Sequence, residues 1–137
     1  MKYILLILAV CGIITSSLAL REHYRTGFSP CSINARWDCG IVNKSPYAVL
    51  WGVPVADIGI AGYLLLGILA WKRAYRLMLA LAIAALAFSL YLAHIEATVL
   101  GVWCIYCVIS LGIISLMTLL LLITVIVQVF KLPAAAR

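Results

Sequence analysis

Residues 97–130 read ATVLGVWCIYCVISLGIISLMTLLLLITVIVQVF, 34 consecutive positions without a charged side chain. As a single helix rising 1.5 Å per residue the run would extend about 50 Å, well beyond a hydrocarbon core of about 30 Å. It is therefore expected to begin as a loop. Gly101 is the natural break, and Trp103 suits an interfacial anchor where the helix starts.

Three further apolar runs stand upstream. The sequence predicts spans at about residues 3–20, 54–71, 77–95 and 103–130, with a long outer loop at 21–53. Asp57 is the only acid inside any span, within a turn of Pro54, where a carboxylate can still reach water or headgroups. Of the 137 residues, 67% are hydrophobic and 10% charged, against roughly 45–50% and 25% in soluble domains. This excludes a water-soluble globule, and so few charges also exclude a disordered chain or a nucleic-acid binder. The expected fold is all-α: one integral membrane domain over residues 1–137, built as a four-helix bundle.

Charge sets the orientation, because short loops rich in Lys and Arg stay cytoplasmic. Lys2, Lys72, Arg73, Arg76, Lys131 and Arg137 lie on one side with no acid among them. Arg21, Arg25, Arg36 and Lys44 balance Glu22, Asp38, Asp57 and Glu96 on the other, so the whole net charge of +6 belongs to one face. Both termini are expected in the cytoplasm of a bacterial cell, in its inner membrane, with residues 21–53 facing the periplasm. Lys2, the apolar stretch and Ser17-Leu18-Ala19 also fit a cleaved signal peptide; the four-span count and even topology favour retention. Small residues at Gly12 and Ser16, at Gly59 and Gly62, and at Ala80, Ala84 and Ala87 mark faces where helices can approach closely.

Five cysteines carry the chemistry. Cys11 lies near the middle of the first span, where a thiol behaves as a small buried hydrophobe, and no reaction is expected of it. Cys31, Cys39, Cys104 and Cys107 map to the outer face, an oxidising place in a bacterium. In Trp103-Cys104-Ile105-Tyr106-Cys107, a Cys-x-x-Cys at the first turn of a helix puts both sulfurs on one face. The positive end of the helix dipole then favours a thiolate. Cys31 and Cys39, separated by seven residues, lie in a loop with Ser29-Pro30, Asn34, Asp38-Cys39-Gly40 and Asn43.

Three readings remain open: static disulfides, a zinc site of four thiolates, or a relay in which the loop pair exchanges with the membrane pair. Zinc ligands normally come from two tight Cys-x2–4-Cys units, and the loop pair is too wide. A relay needs an electron sink, and no haem, flavin or nucleotide motif is present; a lipid-soluble quinone can serve, with no metal. Cys107 lies a turn deeper than Cys104, so a quinone ring between the helices would meet it first, lined by Tyr63, Tyr91 and Leu111. Those side chains suit an ordinary core equally well. A small multidrug or ion transporter also fits four helices, but it needs an ionisable group at mid-depth, and His94, Glu96 and Asp57 all lie near the outer ends.

Cys31 and Cys39, Ser45-Pro46-Tyr47-Ala48-Val49 running into Gly52-Val53-Pro54, Gly59, Gly62-Tyr63, and Cys104-Ile105-Tyr106-Cys107 together resemble the vitamin K epoxide reductase family of membrane thiol oxidoreductases. The resemblance covers about residues 5–125 and implies a four-helix bundle around a quinone, with two cysteine pairs in series. By the same resemblance Cys31 exchanges with a partner protein, Cys39 attacks the membrane pair at Cys104, and Cys107 delivers electrons to ubiquinone or menaquinone. Ser45 matches a loop Ser or Thr of the family, although a helix-capping serine reads the same way. Bacterial members make disulfides in exported proteins, whereas vertebrate members reduce vitamin K epoxide and its quinone. The vertebrate pattern has a Tyr where this chain has Leu111, and an Asn near the top of the second helix where the only polar side chain is Asp57. Disulfide formation is favoured on that ground, and Asp57 joins Tyr63, Tyr91 and Leu111 as a candidate quinone contact. Many bacterial relatives carry a fused thioredoxin-like domain; here the expected partner is a separate periplasmic thioredoxin-like protein. The unrelated bacterial disulfide-forming quinone enzymes have the reverse order, with Cys-x-x-Cys in the first outer loop.

Overall fold

The computed structural model describes residues 2–24 and 36–136, with side chains through Lys131. Cys31 and the other residues of 25–35 lie outside that description. Among the described residues five α-helices follow in order: α1 (Lys2–Tyr24), α2 (Cys39–Lys44), α3 (Val55–Trp71), α4 (Tyr75–Ile95) and α5 (Ile105–Ala136). Between α2 and α3 the chain makes a 3-10 turn at Pro46–Ala48 and a short antiparallel hairpin, β1 (Val49–Leu50) with β2 (Val53–Pro54). Trp51 and Gly52 close the hairpin at φ values of 52° and 80°. The segment expected as a long loop is thus partly structured, because Asp38 starts a helix and Pro46 a turn.

Lys2–Tyr24, Tyr75–Leu100 and Ile105–Lys131 are long and apolar enough to cross a membrane. Val55–Trp71 is equally apolar but only 17 residues long, about 25 Å at 1.5 Å per residue. These four apolar helices present Ile4, Ile7, Leu64, Ile68, Leu77, Ile83, Leu119 and Ile126 outward, as helices apolar all round do when lipid is the solvent. The protein is a multi-pass, all-α membrane protein.

The uncharged run does not begin as a loop. Glu96–Leu100 extends α4 as a π turn, and the break comes at Gly101, whose φ of 65° is left-handed. A glycine adopts that conformation without steric cost. At the other end of α4, α3 stops in a Schellman motif: the Ala74 and Arg73 N–H groups donate to the Leu69 and Ala70 carbonyls at 3.0 and 3.1 Å. Arg73 takes the left-handed position at φ 56°. The Lys72/Arg73/Arg76 cluster therefore marks a tight turn between two helices.

α1 packs chiefly against α3 and also against α5; α4 packs chiefly against α5 and also against α3. A core of Leu5, Ala9, Leu66, Ala70, Met78, Ala82, Ile114, Met117 and Leu121 fills the end that holds the α3–α4 turn. The close approaches expected of Gly12, Ser16 and Gly59 are present: a Cβ on Gly12 would collide with the Tyr63 ring, and one on Gly59 would come within 2.8 Å of Ser16 Oγ. Gly62 has nothing within 4 Å of that position and borders a cavity instead. On α4 the expected small-residue face is wrong by rotation. Ala80, Ala84 and Ala87 are exposed, whereas Met78 and Ala82 point inward, since the helix buries its methionine and the alanine a turn beyond it. Cys11 is also exposed, on the outer side of α1, and not buried as expected.

Candidate active site

The site begins with backbone pairing. The Trp103 N–H donates to the Arg36 carbonyl at 2.7 Å, and the Asp38 N–H donates to the Trp103 carbonyl at 2.9 Å. This parallel bridge between Trp37 and Trp103 holds the residue two positions before α2 beside the residue before Cys104. Their indole rings lie 6.4 Å apart, tilted by 37°. Trp103, expected as an interfacial anchor, is half-buried and lines the cavity.

Asp38 caps α2, its carboxylate accepting from the Ile41 N–H at 3.2 Å, so Cys39 occupies the first helical position. Cys39 and Cys104 are both fully buried and pack in one small cluster with Val42. Cys39 is disulfide-bonded, while Cys104 and Cys107 are free thiols. The structure brings the loop cysteine and the membrane pair together; the expected role of Cys31 lies outside the described residues.

Cys104 takes the cap position of α5: its carbonyl receives the Val108 N–H at 3.0 Å, and its sulfur accepts the Cys107 N–H at 3.4 Å. A side-chain oxygen usually fills that place. Asn43 Nδ2 adds a second donor to the sulfur at 3.3 Å. The Cys107 thiol first, then the Cys107 N–H and Asn43, hold Cys104 below the ordinary thiol range, against the opposing effects of burial and the Glu96 charge. The helix-start placement expected of the Cys-x-x-Cys is present, and specific hydrogen bonds from neighbouring groups favour the thiolate.

Cys107 opens on a cavity of about 340 Å³ whose walls are mostly apolar, within the range of small-molecule sites. Of the expected contacts, Ser45, Tyr63 and Leu111 line it. Tyr63 donates its hydroxyl to the Ser110 carbonyl at 2.9 Å and lies 2.8 Å from Ser110 Oγ, which ties α3 to α5 one turn beyond Cys107. Ser45 donates to the Val42 carbonyl at 2.8 Å at the end of α2 and makes no N-terminal cap bond to the turn that follows. Tyr91 and Asp57 do not border the cavity. Tyr91 is 57% exposed, and Phe88 and Ser89, one turn earlier on the inner face of α4, line the wall instead. Asp57 sits in the first turn of α3, while Val55, Ala56 and Ile58 beside it reach the cavity.

The sequence reading missed two buried polar residues. Asn43 lies four residues after Cys39 and therefore on the same face of α2, where its amide also donates to the Cys39 carbonyl at 2.9 Å; His23 Nδ1 in turn donates to the Asn43 carbonyl. Recognising Asp38 as a cap would have exposed that spacing. Glu96 is 3% exposed and accepts the Cys104 N–H at 3.2 Å. Its signal in the sequence is an acid standing in a stretch, Leu77 to Phe130, that holds no Lys or Arg. Among the described residues no group of His, Cys, Asp and Glu is arranged to hold a metal ion.

The profile of the vitamin K epoxide reductase family matches residues 3–126. The chain belongs to that family. A comparison with curated proteins finds no match. For a vitamin K epoxide reductase family member, the buried cysteine cluster beside an apolar cavity is the place to look for chemistry, and membership supports a membrane oxidoreductase of the vitamin K epoxide reductase type.

Proposed function

We propose that the protein is a quinone-dependent thiol–disulfide oxidoreductase that supports disulfide formation in exported proteins. In this reading it is a four-helix bundle with both termini in the cytoplasm of a bacterial inner membrane, and Val55–Trp71 spans with the help of the hairpin before it. A periplasmic thioredoxin-like protein gives two electrons to the Cys31–Cys39 pair through a mixed disulfide at Cys31. Cys39 then attacks Cys104 of the oxidised membrane pair, Cys31 closes back on Cys39, and Cys104 and Cys107 are left as thiols. That last state, with Cys39 disulfide-bonded and the membrane cysteines free, is the one poised to reduce ubiquinone or menaquinone.

The observation that carries this reading is the position of Cys104 between two neighbours: Cys39 packs against it, and Cys107, one turn on, borders the apolar cavity. Static disulfides would not need a buried, hydrogen-bonded thiolate. A quinone ring suits the cavity's size and apolar walls, and Tyr63 and Ser110 supply polar groups at one side. The apolar Leu111 in that wall favours quinone reduction over the vertebrate epoxide reaction. The test is turnover: the purified protein in lipid should reduce ubiquinone or menaquinone at the expense of a dithiol, and no reduction of either would refute it.

A further inference from the structure

Glu96 is one of four acids in the chain and the only acidic side chain among the described residues that line the cavity; no basic side chain lines it either. A buried carboxyl without a cationic neighbour is costly to keep, so its contacts are informative. Glu96 Oε2 accepts the Cys104 N–H at 3.2 Å, and Glu96 and Cys107 both border the cavity. One carboxyl is therefore held at the start of the cysteine helix, on the same cavity as the Cys107 thiol and beside the space in which an acceptor would sit. The π turn at Glu96–Leu100 places it there, by carrying α4 on to the point where α5 begins.

Resting on the function proposed above, we infer that Glu96 is the proton carrier of the quinone step, taking the proton of the Cys107 thiol and delivering it to a quinone oxygen. The Cys104 thiolate and the Cys107 thiol enter the step; the Glu96 carboxylate removes the Cys107 proton, a sulfur–sulfur bond forms between the two cysteines, and two electrons leave for the quinone. The quinone becomes a quinol by accepting two protons, one from Glu96 and one from water. The water-derived proton replaces the one Cys104 released when it ionised, so the exchange balances.

Glu96→Gln separates this role from a purely structural one, because the amide oxygen still accepts the Cys104 N–H but cannot carry the proton. The full-length protein in lipid nanodiscs is reduced, freed of reductant and mixed with menadione in a single turnover; separately, the oxidised protein is mixed with dithiothreitol. Glu96→Gln should slow menadione reduction by about 100-fold or more, the usual scale of general acid–base catalysis, and leave the dithiothreitol reaction near the wild-type rate. Glu96→Asp should recover part of the loss. A wild-type menadione rate in Glu96→Gln overturns the inference while leaving the proposed function intact, and so does an equal fall in both half-reactions. Wild-type protein that reduces no quinone removes the proposed function itself. Infrared difference spectra of the wild type give a readout independent of Glu96→Gln folding: the quinone reaction should raise a transient protonated-carboxyl band that moves in Glu96→Asp. Absence of that band also overturns the inference.

Discussion

The Asn43 amide nitrogen lies 3.3 Å from the Cys104 sulfur and donates to the Cys39 carbonyl at 2.9 Å. One side chain on α2 thereby fixes both the cysteine of its own helix and the thiolate of the next pair. Asn43→Leu should raise the Cys104 pKa, since a donor that favours the charged form is lost. A hydrogen bond to a charged group is worth roughly 1.5 kcal/mol or more, so the shift should be about one pH unit. Alkylation rates of Cys104 against pH, in a variant lacking Cys11 and Cys107, would measure it. An unmoved midpoint would mean that Asn43 positions Cys39 only.

Wild-type Cys104 itself should alkylate at a pH below that of an ordinary thiol. Its ionised form is favoured by donors that exist only in the folded site, so stability contributed by Cys104 ionisation is present above the unfolded thiol pKa and is lost as pH falls through the lowered one. The pH dependence of Cys104 alkylation in the folded, reduced protein is the check; a midpoint at or above that of an ordinary thiol would contradict the lowered value.

Cys107→Ser should abolish quinone reduction, because it removes the thiol that borders the cavity, while Cys11→Ala should leave turnover near wild type, because Cys11 is exposed on the outer side of α1. The paired rates with menadione and a dithiol are the check. Inactivation by Cys11→Ala with an active Cys107→Ser would refute the assignment.

Gly12→Ala should destabilise the protein by about 1–3 kcal/mol, the usual cost of overpacking, since its new methyl group would meet the Tyr63 ring. Gly62→Ala, with open space around the new atom, should be tolerated. Thermal unfolding in detergent would rank them, and equal effects would show that α1 and α3 are less tightly apposed than the structure places them.

Much of this was legible in the sequence because its largest signals are physical thresholds. Long uncharged runs have few other solutions than spanning helices, and Gly101 is a break that any continuous helix would have to pass. Cys-x-x-Cys at the start of a helix likewise announces its geometry. What was not legible depends on helix rotation and on contacts between distant segments. Ala80, Ala84 and Ala87 looked like a packing face because small residues were counted without the phase set by Met78. Tyr91 looked like a cavity wall, although Phe88 a turn earlier holds that place. Asn43 and Glu96 acquire their meaning only when the pairing of residue 37 with residue 103 brings α2, the π turn and α5 together.

Basic clusters at Lys72, Arg73 and Arg76 and at the C-terminus should face the cytoplasm. Reporter fusions after Arg76 and Arg137 should give cytoplasmic signals only; a periplasmic signal from either would put the cysteines in the wrong compartment for a periplasmic partner.

The central claim is that electrons pass from the loop pair to the membrane pair through Cys39 and Cys104. In a Cys31→Ser/Cys107→Ser variant each of those residues loses the partner the relay assigns to it, so mild oxidation of the purified protein should join Cys39 directly to Cys104. Mass spectrometry of the digested, non-reduced protein should find that single cross-link in most molecules. If both thiols instead remain free or pair only between molecules, the two cysteine pairs do not exchange, and the relay is contradicted.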